Sequence, residues 1–429
     1  MINKIIQGDC IEVMKTMPDN HIDTIITDPP YGLSFMGKKW DYDVPSIEIW
    51  KECLRVLKPG GTALIFAGSR TQHRMAVNVE DAGFILKDTI MWLYGSGFPK
   101  ATDISKQLDK GVERKVVGYD ENMAKRNPNP KTGISITGNE NNQIREVNPD
   151  ITEPATPEAK LWNGWKSHGL KPAYEPILVA MKPNEGSYAE NALKYGVAGL
   201  NIDGGRIEYS EDNKPIPQLA QDKRDIKTDN KMYGRQSFTE SKTKSTIGGS
   251  LKGRFPANII LDEEAGKMLD EQSGETTQGH WANTKVTGYG KTTDYKGVGR
   301  KAQDKGGASR FFYCAKASKS ERNMGCEGLE EKEGGSLEGG IDKRTGKTNQ
   351  PKRKNNHPTV KPLKLMEYLC NLTKTPTGGI VLDPFCGSGT TLMAAKLTGR
   401  EYIGIEREQE YIEIAKCRVD AVKIENDLF

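Results

Sequence analysis

The sequence predicts an α/β protein with one mostly parallel, Rossmann-like sheet assembled from both ends of the chain. Three observations carry this. Apolar strand-like runs alternate with helix-periodic stretches over residues 1–100, and the alternation returns from residue 357. Between them the chain is glycine-rich, basic and nearly aperiodic. Such alternation implies crossover connections and a sheet covered on both faces. Neither flank has enough strands for a doubly wound sheet; together they do.

In the first flank, "IDTIITD" is an apolar run ending at Asp28 and a turn. Ile47, Trp50, Leu54 and Leu57 recur by three and four, which predicts a helix face, and Pro59-Gly60-Gly61 is expected to stop that helix. "TALIFAG" reads as a buried strand. Met75, Val79 and Ala82 mark a helix closed by Gly83, and "FILKDTIMWLY" is the next strand. The rhythm breaks at "GSGFPKATD". Residues 111–160 are polar, and "KRNPNPKTG" predicts loop or disorder. "KPAYEPILVAMKP", residues 171–183, restores a strand, expected to form an antiparallel hairpin with "DTIMWLY". In the last flank Leu365, Leu369 and Leu372 mark a helix, "GGIVLD" a strand, "GTTLMAAKLTG" a helix, "EYIGIE" a strand, and Tyr411, Ala415, Val419 and Val422 a final helix.

The predicted organisation is a catalytic half at 1–183 with a polar insertion at about 101–167, a middle region at 184–356, and a second half at 357–429. "GRFPANIILD" and "SRFFYCAK" read as isolated strand-like islands in the middle. The chain has 429 residues, 35% hydrophobic, with a formal net charge of +4 and a mean hydropathy of −0.66. No apolar run approaches the roughly 20 residues of a membrane helix, so no membrane partner is expected. Seven dispersed cysteines without a CxxC pair suggest reduced thiols in a cytoplasm. His168 and His280 stand alone, so no metal site is expected.

"VLDPFCGSGTT" falls where a strand gives way to a helix. Gly387 and Gly389 permit a tight turn and close approach of a ligand, and the helix N-terminus offers free N–H groups. Glu406 ends the next strand about 20 residues on, where a carboxylate can take ribose hydroxyls. Neither a GxGxxG nor a GK[ST] string is matched, so a nucleoside without pyrophosphate fits better. Asp28-Pro29-Pro30-Tyr31 also follows a strand. A carboxylate and a rigid carbonyl there can grip both hydrogens of a planar amine while an aromatic ring stacks on the base carrying it; positioning and preplaced charge would supply most of the gain.

On these strings the chain resembles the S-adenosylmethionine-dependent amino-methylating DNA methyltransferases of the β group, a circularly permuted order with the catalytic motif first and the cofactor loop last. The resemblance covers roughly 1–100, 168–183 and 357–429. It implies that Asp28 accepts the amine, that the Pro29 carbonyl is the second acceptor beside Pro30, and that Tyr31 stacks. It implies a cofactor loop of Asp383, Pro384, Phe385, Gly387, Ser388, Gly389 and Thr390, with Glu406 on the ribose. "HPTVKP", with His357, Thr359 and Lys361, resembles the segment holding the methionine end, "QGDC" gives Asp9 the adenine side, and "KPAYEPILVA" resembles the strand of a terminal antiparallel hairpin. Cys386 reads as packing, and no Pro-Cys pair of the carbon-methylating chemistry occurs.

The resemblance makes the middle a target-recognition region and double-stranded DNA the partner, with a base flipped out of the stack. Phosphate contacts would come from Lys227, Lys231, Arg235, Lys242, Lys244, Lys252 and Arg254, from Lys285, Lys291, Lys296, Arg300, Lys301, Lys305 and Arg310, and from Lys343, Arg344, Lys347, Lys352, Arg353 and Lys354. Tyr233, Phe238, Trp281, Tyr289 and Tyr295 are interleaved with them. The implied activity is transfer to adenine N6, with cytosine N4 as the alternative, in the cytoplasm of a bacterium or from a phage. A homodimer and a cognate restriction endonuclease stay open as partners.

Overall fold

The computed structural model describes residues 2–33, 43–97, 101–120, 150–209, 252–277, 285–288, 291–294, 305–315, 320–333 and 352–423. The chain forms two compact units, one of residues 1–205, 258–266 and 314–429 and the other of residues 206–257 and 267–313.

The sheet has nine strands: β1 (Lys4–Gln7), β2 (Ile22–Thr27), β3 (Leu57–Phe66), β4 (Ile85–Leu93), β5 (Tyr174–Met181), β6 (Ile259–Asp262), β7 (Tyr313–Ala315), β8 (Ile380–Asp383) and β9 (Glu401–Glu406). Their spatial order is β1-β9-β8-β2-β3-β5-β4-β6-β7. Pairing is parallel from β1 through β3. β5 runs antiparallel to both β3 and β4. The two flanks therefore share one sheet, and β2 of the first pairs directly with β8 of the last through Val381 on Thr24 and Leu382 on Ile25.

β2 is buried at all six positions, as a strand covered on both faces must be. Helices α1 (Cys10–Lys15), α2 (Ile47–Val56) and α3 (Gln72–Asp81) supply one layer, where Met14, Trp50, Cys53, Met75 and Val79 pack with Ile22, Ile25, Leu57, Ile65, Ile403 and Ile405. Side chains alternate along β9, so Gly404 points to the other face. There a Cβ would lie 2.5 Å from Leu392 Cδ1, on α6 (Thr390–Leu397). This face also carries α5 (Leu363–Leu372), which packs on α6, and α7 (Gln409–Ala421). An eight-residue helix, α4 (Tyr188–Tyr195), starts in a capping box made by Ser187 and Glu190.

Two expectations are corrected. Pro59-Gly60-Gly61 does not stop α2: the helix ends at Val56, Leu57 is already extended, and β3 runs through the three residues. The β2–β3 register jumps there, Leu57 facing Ile22 and Thr62 facing Thr24, so the segment is an irregularity in the strand. Proline lacks the ladder donor and Gly60 takes a φ of 74°, which suits a bulge. "GRFPANIILD" is no island: β6 pairs parallel with β4 and extends the sheet past the hairpin. The polar insertion contains a short two-stranded ribbon. Residues Val116–Tyr119 pair antiparallel with Asp150–Thr152, and buried Asp109 accepts from Ala155 N–H, Thr156 N–H and Arg114. The "KRNPNPKTG" string lies outside the described residues.

In the smaller unit the Arg254 guanidinium lies 4.5 Å from the Tyr209 ring centre and 5.1 Å from that of Phe311. Arg310 donates to the carbonyls of Gly306 and Gly307, and Lys305 pairs with Glu275 at 2.6 Å. These three members of the basic groups therefore work inside the unit. Lys227, Lys231, Arg235, Lys242, Lys244, Lys296, Arg300, Lys301, Lys343, Arg344 and Lys347, with Tyr233, Phe238, Trp281, Tyr289 and Tyr295, lie outside the described residues. So do the side chains of Lys285, Lys291 and Lys352. Among the described residues no helix is long and apolar enough to cross a membrane.

One buried carboxylate ties the flanks together. Asp23, in the middle of the sheet, accepts from the Ile380 N–H at 2.8 Å and from Lys58 Nζ at 2.7 Å. Asp23→Ala leaves both donors unmatched and is expected to cost about 3 kcal/mol, in line with breaking a buried pair. Urea unfolding of the two proteins measures it.

Candidate active site

Strands β1, β9, β8, β2 and β3 are parallel, so their carboxyl ends share one edge of the sheet. In open α/β sheets ligands bind outside that edge. Asp9 follows β1, Glu406 ends β9, Asp383 ends β8 and Asp28 follows β2. Because β5 runs the other way, its first residues, Tyr174 and Glu175, reach the same edge; Glu175 sits opposite Trp92, and Pro176 O accepts from Ala67 N–H.

These segments surround a cavity of about 1760 Å³. Asp28, Pro29, Pro30 and Tyr31 line it, as do Asp9, His357, Thr359, Lys361, Asp383, Pro384, Phe385, Gly387, Ser388, Thr390 and Glu406. Gly389 lies behind the wall. Its φ is 78°, and a Cβ would sit 2.9 Å from Ala415 Cβ, so it lets α7 close on the loop.

The loop after β8 is held from several sides. Glu406 accepts from Gly387 N–H at 3.0 Å and from Glu408 N–H at 2.9 Å. Each of its oxygens keeps a lone pair for a ligand, and burial raises its pKa. Gly387 has a φ of 49°, and a Cβ would lie 2.7 Å from His357 Nε2. His357 Nδ1 is 2.7 Å from Thr359 O; the carbonyl only accepts, so Nδ1 carries the hydrogen. Burial pushes His357 down to about 4, which keeps the ring neutral near pH 7. Asp9 is spent partly on capping α1, accepting from Ile11 and Glu12 N–H. Cys386 is buried, and desolvation holds its thiol far above the ordinary value, so it packs.

Two site residues gave no signal in the sequence. Arg418, fully buried on α7, donates to Ser388 O at 2.7 Å, Ser388 Oγ at 3.0 Å and Thr390 Oγ1 at 2.9 Å. It braces the loop from behind, and burial lowers its pKa only to about 10, so it stays charged. Its position at the helical spacing of Tyr411, Ala415 and Val422 was hidden by its charge. Glu175 was visible only as part of a strand string.

The catalytic string is held by a compact polar group. The Tyr31 hydroxyl donates to Asp28 Oδ1 at 2.6 Å and reaches Glu175 Oε2 at 3.2 Å. Lys361 Nζ donates to Asp28 Oδ2 at 2.6 Å and lies 3.3 Å from Glu175 Oε2. Thr71 Oγ1 fixes the Tyr31 carbonyl at 2.6 Å. Burial pulls Lys361 down, but the charges of Asp28 and Glu175 outweigh it and hold the ammonium above its ordinary value. Burial raises Tyr31 well above its ordinary value, and the same two carboxylates raise it further. Among the described residues no group of three or more His, Cys, Asp and Glu side chains is disposed to hold a metal.

Asp383 ties the two strings together. It accepts from Thr27 Oγ1 at 2.7 Å and from Phe385 N–H at 3.1 Å. Burial raises it from 3.8 to about 6, against the pull of those bonds and of Thr391. The folded state thus binds this proton more tightly than the unfolded chain, so this group adds stability as pH falls from about 6 towards 3.8. Asp383→Asn keeps the acceptor oxygen and removes the charge. It is expected to fold at least as stably at pH 7 and to flatten that part of the stability profile, read by thermal unfolding at stepped pH.

A protein-family model described as DNA methylase matches residues 22–417. The type II methyltransferase M2.DpnII of Streptococcus pneumoniae is 34% identical over 175 residues, which is 41% of this chain and 59% of that protein. M2.LlaDCHI of Lactococcus lactis subsp. cremoris is 33% identical over 174 residues, with the same coverage of 41% and 59%. The chain thus spans 59% of the length of these curated relatives. A solved PvuII DNA methyltransferase, described as cytosine-N4-specific, aligns over 100% of this chain and 89% of its own at 13% identity and a TM-score of 0.42. With the family model running from β2 to α7, across both halves of the site, the chain belongs to the DNA methylase family.

Proposed function

We propose that this protein transfers a methyl group from S-adenosylmethionine to the N6 amine of an adenine flipped out of duplex DNA. One observation carries the reading: the Asp28–Tyr31 string and the Asp383–Thr390 loop with Glu406 open onto a single cavity, wide enough for a nucleoside cofactor and a base together. Family membership supports the reaction class, and an aspartate at position 28 supports the choice of adenine.

The donor set fits the cofactor. Glu406 keeps lone pairs for ribose hydroxyls, Asp9 stands at the end of the neighbouring strand, and Gly387 keeps open a space that a Cβ would fill against His357. When bound, S-adenosylmethionine supplies an electrophilic methyl group on a positively charged sulfur. The chain's own work is placement. Asp28 accepts one N–H of the amine and the Pro29 carbonyl the other, which turns the nitrogen lone pair towards the methyl donor. Tyr31 stacks on the base. The nitrogen's surplus proton leaves to Asp28. Negative charge fixed in a half-buried site stabilises the developing positive nitrogen more than water would.

This reading makes duplex DNA the substrate, and residues 184–356 with their basic groups the region that would choose the site. A bacterial or phage cytoplasm follows as the place of action. A cognate restriction endonuclease and a second copy of the chain are the protein partners it puts forward.

Asp28→Ala is expected to lower methyl transfer by at least ~10³-fold while leaving affinity for S-adenosylmethionine within about threefold. Mass spectrometry of nucleosides from unmethylated duplex DNA reads the first, and calorimetric titration the second. N6-methyladenine from the wild type supports the reading. N4-methylcytosine changes the base and keeps the roles, and full turnover by the variant overturns them.

A further inference from the structure

Both oxygens of Asp28 are already engaged. Its Oδ1 takes the Tyr31 hydroxyl and its Oδ2 takes the Lys361 ammonium, both at 2.6 Å. A base amine is a weak neutral donor and competes poorly with an ammonium, because charge-assisted hydrogen bonds are roughly twice as strong as neutral ones. An ammonium on Oδ2 weakens the carboxylate as acceptor and base, so Lys361 must loosen its hold for Asp28 to take the amine and then its proton. Water is a poor refuge: the lysine side chain is only 10% exposed, and its nitrogen lies 5.5 Å from the Tyr31 ring centre and 5.0 Å from that of Phe66.

A second acceptor stands within reach. Glu175 Oε2 is 3.2 Å from the Tyr31 hydroxyl and 3.3 Å from Lys361 Nζ. The same two donors thus face two carboxylates, close to Asp28 and slightly long to Glu175. A shift of well under 1 Å exchanges one partner for the other, with no new charge buried and no donor left unpaired.

We infer that Glu175 is a positioning residue for the transfer: it takes over the Lys361 ammonium and the Tyr31 hydroxyl when the base amine arrives, and so uncovers Asp28. The inference rests on the methyl-transfer reading and assigns the site a second carboxylate. Lys361 then does two things in turn. It holds Asp28 in place before the amine arrives, and it holds Glu175 while the amine occupies Asp28. The antiparallel direction of β5 makes this possible, since it delivers a carboxylate to the edge where β2 ends.

Glu175→Gln removes the charge and keeps the shape. With tritiated-methyl S-adenosylmethionine and unmethylated genomic duplex DNA, kcat is expected to fall about 10- to 100-fold. The melting temperature should not shift by more than about 2 °C, the affinities for cofactor and DNA should stay within twofold of wild type, and Glu175→Asp should restore most of the rate. The loss caused by Glu175→Gln should also shrink to under twofold in a Lys361→Met background, since the competitor for Asp28 is then gone. A Glu175→Gln protein at wild-type kcat overturns the inference, and so does a loss of unchanged size in that background. Wild-type protein that methylates no DNA overturns the proposed function and this inference with it. Wild-type activity matched by the variant overturns the inference alone.

Discussion

The pairing of β2 with β8 is the contact on which the site depends. Two register pairs join the strands, and two side-chain bonds hold them in phase: Ile380 N–H on Asp23 and Thr27 on Asp383. A slip of one residue would turn every side chain of β8 to the other face. Asp383 would leave the loop, and the cavity would lose its shared wall. The polar bonds at the two ends of β2 add specificity that an apolar run of Ile, Leu and Val cannot provide.

Charge in the site is set by burial working against the partners each group meets. Arg418 and Lys361 remain cationic because each meets several oxygens. A buried charge left without partners is costly, and one with matched partners fixes geometry. Arg418 fixes the loop after β8, and Lys361 fixes the Asp28 carboxylate.

Much of this was legible in the sequence. Two α/β flanks, the antiparallel partnership of residues 174–181 with 85–93 and the helices of the last flank all follow from periodicity, because each element buries one face. The motif strings mark strand ends, so they mark the functional edge. What stayed hidden has physical causes. Pro59-Gly60-Gly61 looks like a helix stop, yet a bulge tolerates the same residues. Glu175 and Arg418 are charged residues inside apolar patterns, and their roles come from partners distant in the chain. Lys361 belongs to a string that resembles a cofactor segment, while its ammonium lies on Asp28. Spacing along a chain does not report which carboxylate a long flexible side chain will reach.

The distance in sequence between Asp23 and Ile380, 357 residues, has a consequence for synthesis. Closing so long a loop adds entropy cost and slows folding. A growing chain completes β2, β3 and α2 early, and these bury much of one core layer. Their open edge then waits for β8. Until residues 380–406 have left the ribosome, β2 presents an unpaired parallel edge, the kind of surface that recruits other strands. Asp28 meanwhile lacks its cation until Lys361 has been made. Chaperone dependence and aggregation during expression should therefore concentrate in the interval between those two events, when half a sheet has formed and its completing strands have not yet appeared.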